Sequence, residues 1–156
     1  MSHPVRIHRA LVDEMVRHCL NGRPLEACGL LGSENGRVVK VFKMTNASAS
    51  PLRYSLDPKE QLAVYRALDD RGWDLAGVFH SHTHTEAYPS PTDVRLARED
   101  VPYLIISLAH EDASLRAFRI TKESWTDSDG EVEELQVVVI DGDPGKLEEG
   151  SPHAGR

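Results

Sequence analysis

Leu75-Ala76-Gly77-Val78-Phe79 reads as an apolar strand that delivers two histidines, in His80-Ser81-His82, at its C-terminal end. Side chains alternate faces along an extended segment, so imidazoles two positions apart point the same way and can share one metal ion. A short loop, Thr83 to Pro89, separates them from Ser90 and Asp93, and Asp93 is the candidate third ligand. Two imidazoles and a carboxylate leave a fourth position open, the arrangement of a catalytic rather than a structural zinc. The same donors also suit iron or manganese.

Each of these residues has a plainer reading. Two histidines at a solvated strand end occur by chance. Ser90-Pro91-Thr92-Asp93 ahead of Val94, Leu96 and Ala97 is a helix start, and capping alone would explain both Ser90 and Asp93. Capping and ligation are compatible, because a helix N-terminus beside a metal site can present a carboxylate whose backbone N–H groups orient it. Glu26 would ordinarily be a surface carboxylate. It precedes Ala27-Cys28-Gly29-Leu30-Leu31-Gly32, an apolar stretch expected to run centrally, where an unpaired acid is costly. An acid half-buried beside a cation is a natural general base.

Outward from this stretch, Leu11, Val12, Met15, Val16, Cys19 and Leu20 recur at helical spacing, which predicts a helix over Arg9 to Leu20 ended by Asn21-Gly22. The Glu26–Gly32 strand and the β-rich Arg37–Met44 flank a turn around Glu34-Asn35-Gly36 and read as a hairpin. A short strand is expected near Tyr54-Ser55-Leu56. Asp57 and Pro58 then start a second helix, with Glu60 completing a capping box and Leu62, Tyr65 and Leu68 on the buried face. Tyr103 to Leu108, Ser114 to Thr121 and Val137 to Ile140 are further strands. Residues 141–156, rich in Gly, Pro and acid, read as a disordered tail behind one domain over 1–140.

The chain has 156 residues, enough for one domain with a core of its own, and its 40% hydrophobic and 28% charged content is that of a globular protein. A formal net charge of −7 argues against general nucleic-acid binding, which needs clustered Lys and Arg. No apolar run is long enough to span a bilayer, and Met1 to His8 lacks a signal-peptide core, so no membrane association is expected. Two cysteines, Cys19 and Cys28, make no disulfide framework and point to a reducing cytoplasm, with Cys28 as inert packing. Tyr88 and Trp73 are candidates for cleft walls. Oligomeric state is not readable: Leu11, Met15 and Val16 serve a dimer face or an internal core equally well.

Glu26-Ala27-Cys28-Gly29-Leu30-Leu31-Gly32, followed by His80-Ser81-His82, a gap of seven, Ser90, a gap of two and Asp93, resembles the motif of the JAMM (MPN+) metallopeptidases. The resemblance implies an α/β chain folded as a single-domain α-β-α sandwich with a central mixed, curved sheet. It implies Zn2+ held by His80, His82 and Asp93, Glu26 as acid/base and Ser90 steadying the tetrahedral intermediate. The surrounding residues, His80 to Thr83, Thr85 to Ser90, Thr92 to Val94 and Met44-Thr45-Asn46-Ala47, are similar to a small bacterial branch of that family, and the likeness runs from about Val5 to Val139. That branch releases cysteine from the C-terminus of a ubiquitin-like sulfur-carrier protein, so the partner implied is a carrier with a Gly-Gly C-terminus. Its tail could add to an exposed strand edge beside the site. His84 departs from the pattern, where a smaller residue is expected; it is read as a solvated loop histidine.

Other classes fit less well. A non-catalytic MPN scaffold usually lacks a ligand, and none is missing here. A zinc deaminase would need a Cys-x-x-Cys pair, which Cys19 and Cys28 do not make. A relative acting on a different small-protein or peptide conjugate remains the alternative.

Overall fold

The computed structural model describes residues 3–142. From residue 143 the expected tail lies outside the described residues; Asp141 lies within them and its carboxylate pairs with the Arg9 guanidinium.

The chain runs β1 (Val5–His8), α1 (Arg9–Gly22), β2 (Cys28–Glu34), β3 (Arg37–Met44), α2 (Pro58–Arg71), β4 (Asp74–His82), α3 (Pro91–Leu96), β5 (Tyr103–Ser107), β6 (Ser114–Thr121), β7 (Glu131–Leu135) and β8 (Val137–Ile140). Six strands form one sheet in the order β3-β2-β4-β5-β6-β7. Only β4 and β5 run parallel; the other neighbours are antiparallel, so the sheet is mixed. The β2–β3 hairpin turns on Asn35 (φ 53°) and Gly36 (φ 80°), the two positive dihedrals that a two-residue turn matching strand twist requires.

Helices cover both faces. Met15 and Cys19 of α1 pack on the face that carries Leu31, Phe79, Leu104 and Ile106. Val64 and Leu68 of α2 pack on the other, with Leu30, Val78, Tyr103 and, from the α3 region, Val94 and Ala97. Neighbouring residues Leu30 and Leu31, or Val78 and Phe79, therefore serve opposite cores. This α-β-α layering buries β4 on both faces, which is why its sequence reads as a continuous apolar run. Each large aliphatic or aromatic side chain buried there contributes about 1.5–3 kcal/mol.

Several expectations change. Asn21 and Gly22 belong to α1, which ends at Arg23. Strand β4 continues through His82, so both histidines lie within the sheet. The segment at Tyr54–Leu56 is a single bridge between Asn46 and Leu56. Asp57 does cap α2, accepting from the Lys59 and Glu60 amides. The Glu60 carboxylate instead accepts from the Thr45 amide and hydroxyl (2.7 and 2.8 Å), so it tethers the end of β3 rather than closing a capping box. Leu62 is 50% exposed and Val64 takes the buried position, because the face that meets the sheet is rotated from the one periodicity suggested. Two strands were unforeseen. β1 pairs in parallel with β8 as a separate two-stranded sheet, and β7 is a charged edge strand in which only Leu135 is buried. Among the described residues no helix is long and apolar enough to cross a membrane.

Gly29, paired with Phe79 in the middle of β2, is needed for close approach. A Cβ there would overlap both the Phe42 carbonyl oxygen and the Phe79 ring. Gly29→Ala is expected to lower unfolding stability by about 1–3 kcal/mol in urea titration. Adding Phe79→Leu should not restore it, since the backbone oxygen remains in the way.

Candidate metal centre

The antiparallel register of β2 and β4 sets Cys28 opposite His80. Past that pair, the Ser81 amide donates to the Ala27 carbonyl (3.0 Å) and the Ala27 amide donates to Ser81 Oγ (2.8 Å). One further step along each chain brings Glu26 beside His82, on the sheet face that α2 and α3 cover. Directly opposed residues point to the same side, so the pairing alone gathers Cys28, His80, Glu26 and His82. All four are buried.

Asp93 arrives from α3. His80 Nε2 and His82 Nε2 are 3.2 Å apart, and Asp93 Oδ2 lies 3.1 and 3.0 Å from them. Ligands about 2.0–2.1 Å from a tetrahedral zinc stand about 3.3 Å from one another, so the triangle fits such an ion. These three atoms are the group among the described residues that could hold a metal ion. His82 Nδ1 donates to the Glu86 carbonyl (2.8 Å), which orients the ring so that Nε2, on losing its proton to a metal ion, would aim its lone pair between His80 and Asp93. The His80 ring is held differently: Tyr54 stacks on it with centroids 4.3 Å apart and 24° between planes, and its Nδ1 has no hydrogen-bond partner among the described residues.

Capping and ligand placement coincide at Asp93. The Ser90 amide donates to Asp93 Oδ2 (2.9 Å) and the Asp93 amide donates to Ser90 Oγ (3.0 Å), a reciprocal capping box. Burial works against the charged Asp93 carboxylate, but the His80 charge and hydrogen bonds from both imidazoles and the Ser90 amide hold it well below the usual carboxylate range. Ser90 Oγ accepts one bond here, which leaves its proton free to donate.

Glu26 is 5% exposed, and its Oε1 has no hydrogen-bond partner among the described residues. Burial pushes its carboxyl up to about 8, with His82 opposing and Asp93 adding to the shift. A buried acid left without a donor is costly unless a cation or a water shares the cavity. That orphaned oxygen, next to three converging lone pairs, fits a bound divalent ion and its solvent.

A groove of about 300 Å³ adjoins the triangle, lined by Tyr54, Leu56, Gln61, Val78, Leu96 and Tyr103 among others. Tyr54, which stacks on His80, and Val78, two residues before His80 on β4, form the side of the groove nearest the triangle. β4 is paired with β2 as far as His80 and with β5 as far as His82, and among the described residues the edges of the six-stranded sheet are β3 and β7.

Other residues fall away from the site. Trp73 packs beside Gly32, near the opposite end of β4, and carries the Arg71 guanidinium over its ring. Tyr88 is half exposed and rests edge-on against Phe118. His84 is exposed. The Cys28 thiol is fully buried, and burial pushes it up to about 12, so it is inert at neutral pH. Sequence reading missed Tyr54 and Asn46; a tyrosine and an asparagine in a polar loop carry no local signal of what they touch.

Residues 8–121 match the model for prokaryotic homologs of the JAB domain. The chain is 43% identical over 142 residues to the CysO-cysteine peptidase of Mycobacterium tuberculosis, covering 86% of this chain and 90% of that protein. It is 37% identical over 100 residues to a probable TtuB-protein conjugate cleaving protease of Thermus thermophilus, covering 64% and 67%. The solution structure of a Desulfitobacterium hafniense protein superposes with a TM-score of 0.77 at 34% identity, over 90% of this chain and 95% of that one. The matched span runs from β1 to β6 and takes in Glu26, the histidine pair, Ser90 and Asp93, and by that match the chain belongs to the JAB-domain (JAMM/MPN) family and is a hydrolase of the peptidase type.

Proposed function

We propose that the protein hydrolyses the amide between the C-terminal glycine of a ubiquitin-like sulfur-carrier protein and cysteine, releasing free cysteine in a zinc-dependent reaction. The observation that carries the hydrolytic part is the approach of His80 Nε2, His82 Nε2 and Asp93 Oδ2 to within 3.2 Å of one another, beside a buried Glu26 with an unpaired oxygen. The substrate is supported by the 43% identity to a CysO-cysteine peptidase over 90% of its length.

His80, His82 and Asp93 would hold the ion, which supplies Lewis acidity to the scissile carbonyl and acidifies water near neutral pH. Glu26 takes the proton from the attacking water and returns it to the departing amine, which leaves poorly without it. The Ser90 hydroxyl donates to the oxygen on which charge develops; one such donor is worth about 2.7–4 kcal/mol of barrier. Glu26 suits both proton transfers because burial favours its acid form while the charge of the proposed ion would favour its carboxylate. The narrow groove past Tyr54 and Leu96 takes the carrier tail, and a Gly-Gly end lacks the side chains that would block it.

A second reading follows from the T. thermophilus relative: cleavage of a different small-protein conjugate at the same site. Incubation of the zinc-loaded protein with a carrier–cysteine adduct should remove one cysteine, seen by mass spectrometry. An intact adduct, with cleavage of a lysine-linked carrier conjugate instead, would favour the second reading. Glu26→Gln should keep the metal while losing nearly all turnover; retained turnover would refute the assigned base. His82→Ala should leave the protein without zinc after dialysis, and a full zinc complement would remove His82 from the ligands.

Glu26 also sets a pH dependence in the metal-free protein. Its folded value, about 8, lies above the ordinary carboxyl value, so the folded state keeps a proton that the unfolded chain releases. Stability is then lost as pH rises from about 5 toward about 8. Metal-free Glu26→Gln lacks this loss. Its urea midpoint should exceed that of metal-free wild type progressively over that range, and parallel curves would contradict the buried, protonated acid.

A further inference from the structure

The loop between β3 and α2 carries Tyr54 against His80, yet it contains only a single β-bridge, Asn46 to Leu56. One side chain makes five of the hydrogen bonds that order it. Asn46 is 9% exposed, and its Nδ2 donates to the carbonyls of Glu26 (2.9 Å), Arg53 (2.9 Å) and Ser50 (3.3 Å). Its Oδ1 accepts from the amides of Ser48 (3.0 Å) and Ser55 (3.1 Å). Five backbone groups therefore converge on one amide, although the Ser50 carbonyl also accepts from the Glu26 amide.

Two of those contacts bear on the site. The Glu26 carbonyl is held by Asn46 while the Glu26 amide donates to the Ser50 carbonyl (2.9 Å), so both backbone groups of Glu26 are fixed by this loop, in addition to the Ala27–Ser81 bonds that tie the next residue to β4. Glu26 lies two residues before the first residue of β2; Ala27 after it is tied to Ser81 of β4, but the amide and carbonyl of Glu26 itself bond to the loop. The Arg53 and Ser55 contacts flank Tyr54, which packs on His80 and lines the groove. Asn46 thus locks the backbone under the proposed base and under one wall of the groove at once.

We infer that Asn46 is a positioning residue for hydrolysis: it sets the carboxylate of Glu26 and the ring of Tyr54 relative to the histidine pair, without touching either reacting group. This rests on the proposed role of Glu26. Removing the amide frees both segments while leaving His80, His82 and Asp93 in the sheet and α3, so metal retention should be unaffected. Misplacement of a reacting group by about 1 Å costs about 100-fold in rate. Loosening the Tyr54 wall weakens the hold on the tail.

The test compares Asn46→Ala and Asn46→Asp with wild type on the carrier–cysteine adduct, with rates expressed per zinc-loaded molecule. Asn46→Asp keeps the acceptor toward Ser48 and Ser55 but loses the donors to Glu26 and Arg53. Both variants should bind one zinc per chain. Asn46→Ala should lose about 10- to 100-fold in kcat, with KM rising several-fold. Asn46→Asp should lose kcat with a smaller change in KM. A purely structural role would reduce the folded, zinc-loaded fraction and leave KM and per-molecule kcat alone. Hydrogen exchange at the Glu26 and Ser55 amides should accelerate in Asn46→Ala even without metal. Per-molecule kcat and KM both within twofold of wild type would overturn the inference. Glu26→Gln, run beside them, separates the failures: if it is inactive while the Asn46 variants are unimpaired, the positioning role alone falls; if it is fully active, the base assignment falls and takes the inference with it.

Discussion

Asp93 Oδ2 belongs to two networks at once, and much of the site depends on that double use. It accepts the Ser90 amide that starts α3, and it closes the triangle with His80 and His82. A carboxylate on a mobile loop would lose rotamer entropy on meeting a metal; here the helix start has already fixed it. α3 is only six residues long, and its other end is held by Lys122, whose ammonium donates to the carbonyls of Val94, Arg95 and Ala97. A short helix clamped at both ends holds one oxygen in place.

The second constraint is burial of charge. Four ionisable groups, His80, His82, Asp93 and Glu26, sit within the layer between the sheet and its covering helices. Without a cation they can coexist only by sharing or keeping protons, which is what the raised Glu26 and lowered Asp93 values express. Such opposed shifts on neighbouring carboxyls are a recurring mark of sites that move protons. Ser81, between the two histidines, satisfies the Ala27 backbone with both its amide and its hydroxyl, which ties the residue after Glu26 to β4.

Where reading the sequence succeeded, the signal was local. The two-residue spacing of His80 and His82 in an apolar run, the Asn35-Gly36 turn, and the caps at Asp57 and Ser90 each describe a few adjacent residues. Where it failed, the deciding partner was distant. Glu60 has the spacing of a capping box, but Thr45 offers its carboxylate two donors. Leu62 has helical spacing with Leu68, yet the sheet meets α2 along Val64. β7 is acidic and is not among the expected strands, and pairing with β6 makes it one.

The sequence alone determined the apolar strand with two imidazoles on one face, the helix start that presents Asp93, and a family motif that brings Glu26 and Ser90 under suspicion. Periodicity and capping chemistry act over a few residues and survive in any fold that contains them. Only the tertiary structure decided that Glu26 stands beside His82, that Tyr54 covers His80, and that Asn46 holds both segments. Those placements come from cross-strand register and from hydrogen bonds closed between residues far apart in the chain, and no local pattern encodes which partner a buried polar group will meet.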